Sequence, residues 1–324
     1  MLKRPGRVAK GILCAVAACG AGGLLGAQIG AGPVRNTVVT PPKDPWFEAK
    51  SVCLFRLGTG PMPQTANELS EALQRGWAQN IHFPDPGSVV TMEQPGFPSI
   101  GALRLNLTDG QVRITRQGEK KDRIKLNNKV EQELQVGKLE VRGDPLLVRK
   151  AKIHMNLDAS SAQLVLERDR VGRPVMMLQD ANAGKLSFQV SVADAEALIL
   201  RTARDAAADY GITVESMELK ITAETPRNLR VNLHVATLVG FVPAGMTFKA
   251  RCDVDDGMNA RISGLDIQGD EARGPLISTL LRPQLKKHNG EIRPLVGFPA
   301  GKIQLKDVAV RVDDALHLDA AFGT

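Results

Sequence analysis

From about residue 87 onward, apolar and polar residues alternate with period two. Leu103, Leu105 and Leu107 share one side, and Asp109-Gly110 is a hairpin signal leading into Val112 and Ile114. Ala151, Ile153, Met155 and Leu157 alternate with Lys150, Lys152, His154 and Asn156, and Leu186, Phe188 and Val190 repeat the pattern. So do Leu229 to Val235, Met246 to Val254 and Leu316 to Phe322. One greasy face and one wet face predict antiparallel strands with a solvated side, because central parallel strands read as continuous apolar runs. In three segments the apolar parity flips: Ile212 and Val214 give way to Met217, Leu219 and Ile221; Met258, Ala260 and Ile262 to Leu265 and Ile267 across Gly264; Ile303 and Leu305 to Val308, Val310 and Val312 across Asp307. A flip that keeps one face buried needs one extra residue, so each predicts a β-bulge. Strands of this kind run to about 36 Å, roughly twice the usual length.

Helical periodicity occupies three places. Thr65 with Glu68 forms a capping box ahead of Leu69, Ala72, Leu73 and Trp77. From Ser191, with Asp194 at the capping position, a longer helix carries Ala195, Leu198, Ile199, Thr202, Ala206 and Tyr210 in one stripe and stops at Gly211. A third starts at Gly274-Pro275, presents Leu276, Ile277, Leu280 and Leu281, and is interrupted at Pro283. Residues 33–61 are loop-like, with Pro41-Pro42, Pro45 and Gly58 to Gly60, and read as a linker to a body over 62–324.

The chain has 324 residues, 43% hydrophobic and 24% charged, which excludes wholesale disorder and a multi-span membrane protein. Aromatic residues are only 4%, which argues against stacking platforms for nucleic acid. The net charge of +7 belongs to residues 1–150, and the remainder is close to neutral. Part of the excess is Lys3, Arg4, Arg7 and Lys10, ahead of an apolar stretch from Gly11 to Gly32, so residues 1–32 read as an export leader. Val16-Ala17-Ala18-Cys19 resembles a lipobox, with Cys19 the residue to be acylated. Cleavage near Leu25-Gly26-Ala27 would release the protein instead. Retention would leave a span with Gly22, Gly26 and Gly30 on a packing face. The Ala/Gly-rich composition favours a signal over a packed span. A second basic run, Arg113 to Lys129, suits either anionic headgroups or a lysine-blunted edge strand, with the solvated edge favoured.

Candidate chemistry is sparse. The five histidines, His82, His154, His234, His288 and His317, are scattered, and none has ligand spacing to another or to a cysteine pair. Cys53 and Cys252 could pair in an exported chain or stand as two buried thiols. Gly96-Phe97-Pro98-Ser99-Ile100-Gly101 misses a nucleophile elbow. Asp253-Val254-Asp255-Asp256-Gly257 misses a calcium loop and reads as a hairpin turn. Cofactors are therefore expected to be none, and the chain is expected not to be an enzyme. Three loop tips are unusually apolar, around Phe97, Phe241 and Phe298. Apolar tips cap a core or serve as wedges at a bilayer or greasy opening.

Several phrases in residues 139–324 carry a resemblance. They are Val192-Ala193-Asp194-Ala195-Glu196-Ala197-Leu198-Ile199, Gly211-Ile212-Thr213-Val214-Glu215, Ile262-Ser263-Gly264-Leu265-Asp266-Ile267-Gln268-Gly269, Gly274-Pro275-Leu276-Ile277 with Leu281-Arg282-Pro283, and the terminal Leu316-His317-Leu318-Asp319-Ala320-Ala321-Phe322-Gly323. With the order of elements, they resemble the LmeA-like bacterial phospholipid-binding family, itself similar to tubular lipid-binding (TULIP) proteins. The resemblance implies an α+β fold with a long, curved, mainly antiparallel sheet wrapped around one or two long helices, and no catalytic residues. It implies an exported, non-enzymatic protein of the cell envelope or periplasm that binds or carries phospholipid or another acyl lipid in an apolar groove and meets the membrane surface. Leu198, Ile199, Leu276, Ile277, Leu280, Phe241 and Phe298 are the candidate lining. The alternatives are a membrane-tethered scaffolding module with a filled core, and an envelope hydrolase or glycosyl-transfer accessory.

Overall fold

The computed structural model describes residues 47–48, 54–113, 124–127, 129–208, 212–239, 242–270, 274–286, 288–294 and 303–324. By contact the chain divides into two compact units, where the sequence reading treats 62–324 as one body. One comprises Arg35–Gln189 with Val296–Asp307 and Asp319–Thr324, the other Val190–Leu295 with Val308–Leu318. They are called the N-terminal and C-terminal units below. The leader over 1–32, with Cys19, lies outside the described residues. Among the described residues no helix is long and apolar enough to cross a membrane.

In the N-terminal unit the elements are β1 (Phe47–Glu48), β2 (Leu54–Arg56), α1 (Ala66–Asn80), β3 (Ile81–His82), β4 (Val90–Gly96), β5 (Ser99–Asn106), β6 (Gln111–Val112), β7 (Lys125–Leu126), β8 (Gln132–Val148), β9 (Ala151–Arg168), β10 (Pro174–Asp180) and β11 (Ala183–Ser191). The C-terminal unit holds α2 (Val192–Ala208), β12 (Ile212–Thr225), β13 (Asn228–Val239), β14 (Val242–Val254), β15 (Asn259–Asp270), α3 (Gly274–Lys286) and β16 (Ile292–Pro294). The last strands, β17 (Gln304–Val312) and β18 (Ala315–Gly323), each contribute residues to both units.

The spine of the N-terminal unit is the β8/β9 hairpin. Its strands, 17 and 18 residues long, would span almost 60 Å at about 3.3 Å per residue, longer than the periodicity predicts. The order β11-β9-β8-β5-β4 continues outward from it, with β10 on β9 and β2 on β10. Leu54–Arg56 is therefore a paired strand, although the sequence around it reads as linker; Phe55 and Leu57 are buried. The hairpin expected at Asp109-Gly110 does not form. β5 and β6 both pair with β8, and in parallel, so 99–112 is one interrupted strand. The turn at Leu107 to Gly110 lies opposite the β8 bulge between Gly143 and Leu146. Leu107 N donates to Arg142 O, and Leu147 N to Gly110 O. A local turn signal gave way here to ladder pairing with a long neighbour.

Helix α1 starts as its capping box predicts, with Thr65 Oγ1 accepting from Glu68 N at 3.2 Å. Its buried face is Ala66, Leu69, Ala72, Leu73 and Gly76. Trp77 is only half-buried and stacks obliquely on Phe55, with ring centres 5.8 Å apart. Gly76 is there because the helix touches the β2 backbone: a Cβ at this position would stand 1.7 Å from Arg56 O.

The C-terminal unit is an antiparallel five-stranded sheet in the order β12-β13-β14-β15-β16, every strand beside its sequence neighbour. Two of the three expected bulges appear in its ladders. Val214 and Ser216 face Thr237 and Ala236, so Glu215 is the extra residue. Ser263 and Asp266 face Arg251 and Lys249, with Gly264 at φ 59° in the added step. Ile303, just ahead of β17, and Val308 and Val310 within it are buried, on the parities that the flip across Asp307 requires. The Asp255 to Met258 turn joins β14 to β15 through Met258 N to Asp255 O and Asn259 N to Asp255 Oδ1.

Candidate functional site

The C-terminal sheet has two distinct faces. Leu219, Leu233, Phe248 and Ile267 are successive register partners across β12 to β15, and Met217, Val235 and Met246 form the next row. All are buried. The other face carries Lys220, Asn232, Lys249 and Asp266 as a register row, His234 with its Nδ1 3.1 Å from Thr247 Oγ1, and Glu224 bound to Arg230 and Arg251. The Glu224 carboxyl is held below its usual range chiefly by its hydrogen bond from Arg251. The apolar face crosses three strand intervals, about 14 Å.

Helix α2 packs at the β12 edge of this sheet, and α3 packs on β15 and β14, where β15 runs beyond its short pairing with β16. An edge strand exposes main-chain groups that require partners. At the β12 edge, α2 supplies them: Glu196 Oε2 accepts from Leu219 N at 2.9 Å, and Arg204 donates to Val214 O at 2.8 Å and Glu215 O at 2.5 Å. The carbonyls that Arg204 holds are those turned out by the bulge. At the β15 edge, Arg282 of α3 donates to Ile267 O, and Leu265 N donates to Asn289 Oδ1. Helix α3 begins against the strand backbone, since a Cβ on Gly269 would meet Gly274 C and O at 2.0 Å.

Of the predicted lining, Leu198 and Ile199 are on the buried stripe of α2. That stripe continues through Ala203, rather than Thr202, and Ala207. Thr202 is half-buried and its hydroxyl donates to Leu198 O; the Ala206 side chain, Tyr210 and Gly211 lie outside the described residues. Ser191 Oγ caps α2, accepting from Asp194 N. Leu276, Ile277 and Leu280 belong to α3, but their side chains lie outside those described, as do residues Phe241 and Phe298. Pro283 does not end α3, which runs on to Lys286; proline lacks the N–H that would bond Thr279 O, and packing of α3 on β15 and β14 carries the helix past it. The sequence reading missed the four edge-sealing side chains and the central β13 face as lining. The alternation Leu229 to Val235 carried the second signal, whereas no sequence period marks the first.

Other candidate groups have structural partners. Cys252 is a free, buried thiol whose pKa burial pushes up to about 11, so it is a poor nucleophile; Cys53 lies outside the described residues. Glu140, buried in β8, binds Lys138 and Arg104, whose guanidinium also binds Glu93. Among the described residues no cluster of three or more His, Cys, Asp or Glu could hold a metal ion.

No protein-family model and no curated protein matches the chain. One solved structure, a crystal structure of lipopolysaccharide binding protein, is similar over 53% of this chain and 77% of its own, at 10% identity and a TM-score of 0.21. A likeness at that level carries no argument about fold or ligand, and the LmeA-like resemblance rests on the phrases that suggest it.

Proposed function

We propose that this chain is an exported, non-enzymatic cell-envelope protein that binds or carries a phospholipid on the apolar face of the β12 to β15 sheet, in the manner of a TULIP-like fold. The observation that supports this most is the unbroken apolar register from Leu219 to Ile267, with α2 packed on β12 and α3 on β15. An acyl chain of about a dozen methylenes gains roughly 0.8 kcal/mol for each one removed from water, so such a face binds without catalytic groups. The basic leader with its apolar stretch supports export. Native mass spectrometry of the gently purified protein is expected to show a bound diacyl lipid, lost on organic extraction and regained on incubation with lipid. A bare polypeptide mass before and after incubation would overturn the reading.

A second reading has its own support. Leu233, Val235 and Ala244 are 0% exposed, closed off by protein atoms alone, as in the filled core of a membrane-tethered scaffolding module. On that reading the same experiment finds no adduct, and substituting Leu233 affects stability only.

A further inference from the structure

One end of the N-terminal unit gathers exposed apolar and basic side chains on rigid backbone. Val171 is 69% exposed and Val130 38%, two of the three large apolar side chains exposed among the described residues. They lie on adjoining segments. Glu131 N donates to Leu166 O at 2.9 Å, Arg168 Nε lies 3.3 Å from Glu131 Oε2, and Arg170 N donates to Lys125 O at 2.9 Å. Glu131 thus adjoins Leu166 and Arg168, and Arg170 adjoins Lys125, where β7, β8 and β9 end.

The Val171 loop is organised from beneath. Asp169 is buried, and its Oδ1 accepts from Val171 N at 3.0 Å and Arg173 N at 2.9 Å. Its Oδ2 accepts from the Arg173 guanidinium at 2.8 and 2.6 Å, and Gly172 turns the chain at φ 83°. A carboxylate spent wholly on the loop fixes Val171 at the apex without adding negative charge to the surface. Arg168 and Arg173 are paired with Glu131 and Asp169, and Lys125, Lys129 and Arg170 are three further cations on the same segments, against the buried Glu167. A fixed apolar tip within a basic collar is complementary to a surface with an apolar interior and an anionic skin.

We propose that this end docks on an anionic lipid surface, with Val171 entering the headgroup region and Lys125, Lys129 and Arg170 facing lipid phosphates. The proposal goes beyond the lipid-holding reading and does not rest on it. Vesicle docking and bound-lipid mass are separate measurements, and each can fail alone.

The test is co-sedimentation of the full chain with phosphatidylglycerol/phosphatidylcholine vesicles and with pure phosphatidylcholine vesicles. Residues 1–32 are common to all forms compared, so only differences between forms count. Lys129→Glu/Arg170→Glu is expected to weaken binding to the anionic vesicles by about 25-fold or more, because each cation near such a surface is worth roughly fivefold. Val171→Asp is expected to weaken it several-fold and Val171→Ser less, whereas Ile292→Asp, an exposed apolar site in the other unit, leaves it unchanged. Urea midpoints of all forms check folding. Equal binding by folded variants overturns the proposal. Displacement by inorganic phosphate beyond its ionic-strength effect would also overturn it, assigning the cations to free phosphate, and equal binding to duplex DNA would overturn it in favour of polyanions in general.

Discussion

The two units are both sheet-dominated, yet they satisfy their strands in different ways. In the C-terminal unit each of β12 to β16 pairs with its sequence neighbour, and the open edge of β12 and the stretch of β15 beyond its β16 pairing are met by side chains from α2 and α3. One face is apolar apart from the buried Thr237, and the other is polar. In the N-terminal unit the long β8/β9 hairpin collects non-sequential partners, and its far end is buried on both faces. Val165, Val175 and Met177 pack with Leu126 on one side, while Leu164, Leu166, Met176 and Leu178 are buried with opposite parity. It also tolerates the buried carboxylates Glu140 and Asp169, because each is met by cations. Neighbour-to-neighbour pairing puts the buried apolar side chains on a single face of the sheet, whereas collected pairing buries both faces.

The largest effects are expected where a glycine brings a helix onto strand backbone. Gly76→Ala would force a Cβ to 1.7 Å from Arg56 O, and Gly269→Ala to 2.0 Å from Gly274 C and O. Backbone cannot yield as a side-chain tip does, so each should cost about 3 kcal/mol or more. Hydrogen exchange then separates the units: Gly76→Ala should loosen β2 and β10, and Gly269→Ala β14 and β15. Identical exchange patterns in the two variants would erase the distinction.

Leu233→Ala and Leu164→Ala, both at fully buried leucines, should each cost about 2–5 kcal/mol in chemical unfolding. Only the first concerns the proposed lipid face. Bound lipid adds stability by mass action, so the Leu233→Ala deficit should shrink after lipid extraction while that of Leu164→Ala stays the same. Equal behaviour of the two would favour a filled core in both units.

Smaller losses should follow from unsealing the β12 edge. Glu196→Ala leaves Leu219 N, and Arg204→Ala leaves Val214 O and Glu215 O, without their side-chain partners, for about 1–2 kcal/mol each. An opened edge also recruits other edges, so light scattering should rise for these variants. Arg230→Ala, on the polar face, should leave scattering unchanged.

How much of this was legible follows from what carries each feature. The bulges at Glu215 and Gly264 were legible because a buried face forces a parity flip into the residues themselves. The α1 and α2 starts were legible because Thr65 and Ser191 act within one turn. The Asp109-Gly110 region misled because its partner, β8, lies dozens of residues away and contributes its own bulge. The α2 stripe drifted because Thr202 and Ala203 are neighbours on the helix, and the strand beneath decides which is covered. Edge sealing by Glu196, Arg204, Arg282 and Asn289 was invisible, since a lone polar residue on a helix or in a turn looks the same whether it meets water or a strand's backbone.

The smallest expected effect compares the two units through acid. In the C-terminal unit Asp313 accepts from Ala315 N at 2.8 Å, with further help from Asp314 and His317, and its pKa falls from 3.8 to about 2. In the N-terminal unit the Glu140 carboxyl is held below 4.5, first by its hydrogen bond from Lys138 and then by Arg104, against an opposing desolvation. A carboxylate whose folded pKa is depressed favours the fold at pH values above its unfolded pKa, and that contribution disappears as pH falls through the folded pKa. Urea midpoints should therefore be level above pH 4.5 and decline below it, with the Asp313 share lost between 3.8 and about 2. Asp313→Asn should flatten only that lower part of the curve, and by little, because the side chain is exposed and screened. Glu140→Gln should flatten the decline that begins below pH 4.5 and lower the midpoint at neutral pH as well, since it leaves Lys138 and Arg104 facing a neutral group in a buried position. A midpoint curve that Asp313→Asn alters from pH 4.5 downward, or that Glu140→Gln leaves untouched, would show that the buried network of the long hairpin is no more sensitive to acid than an exposed turn.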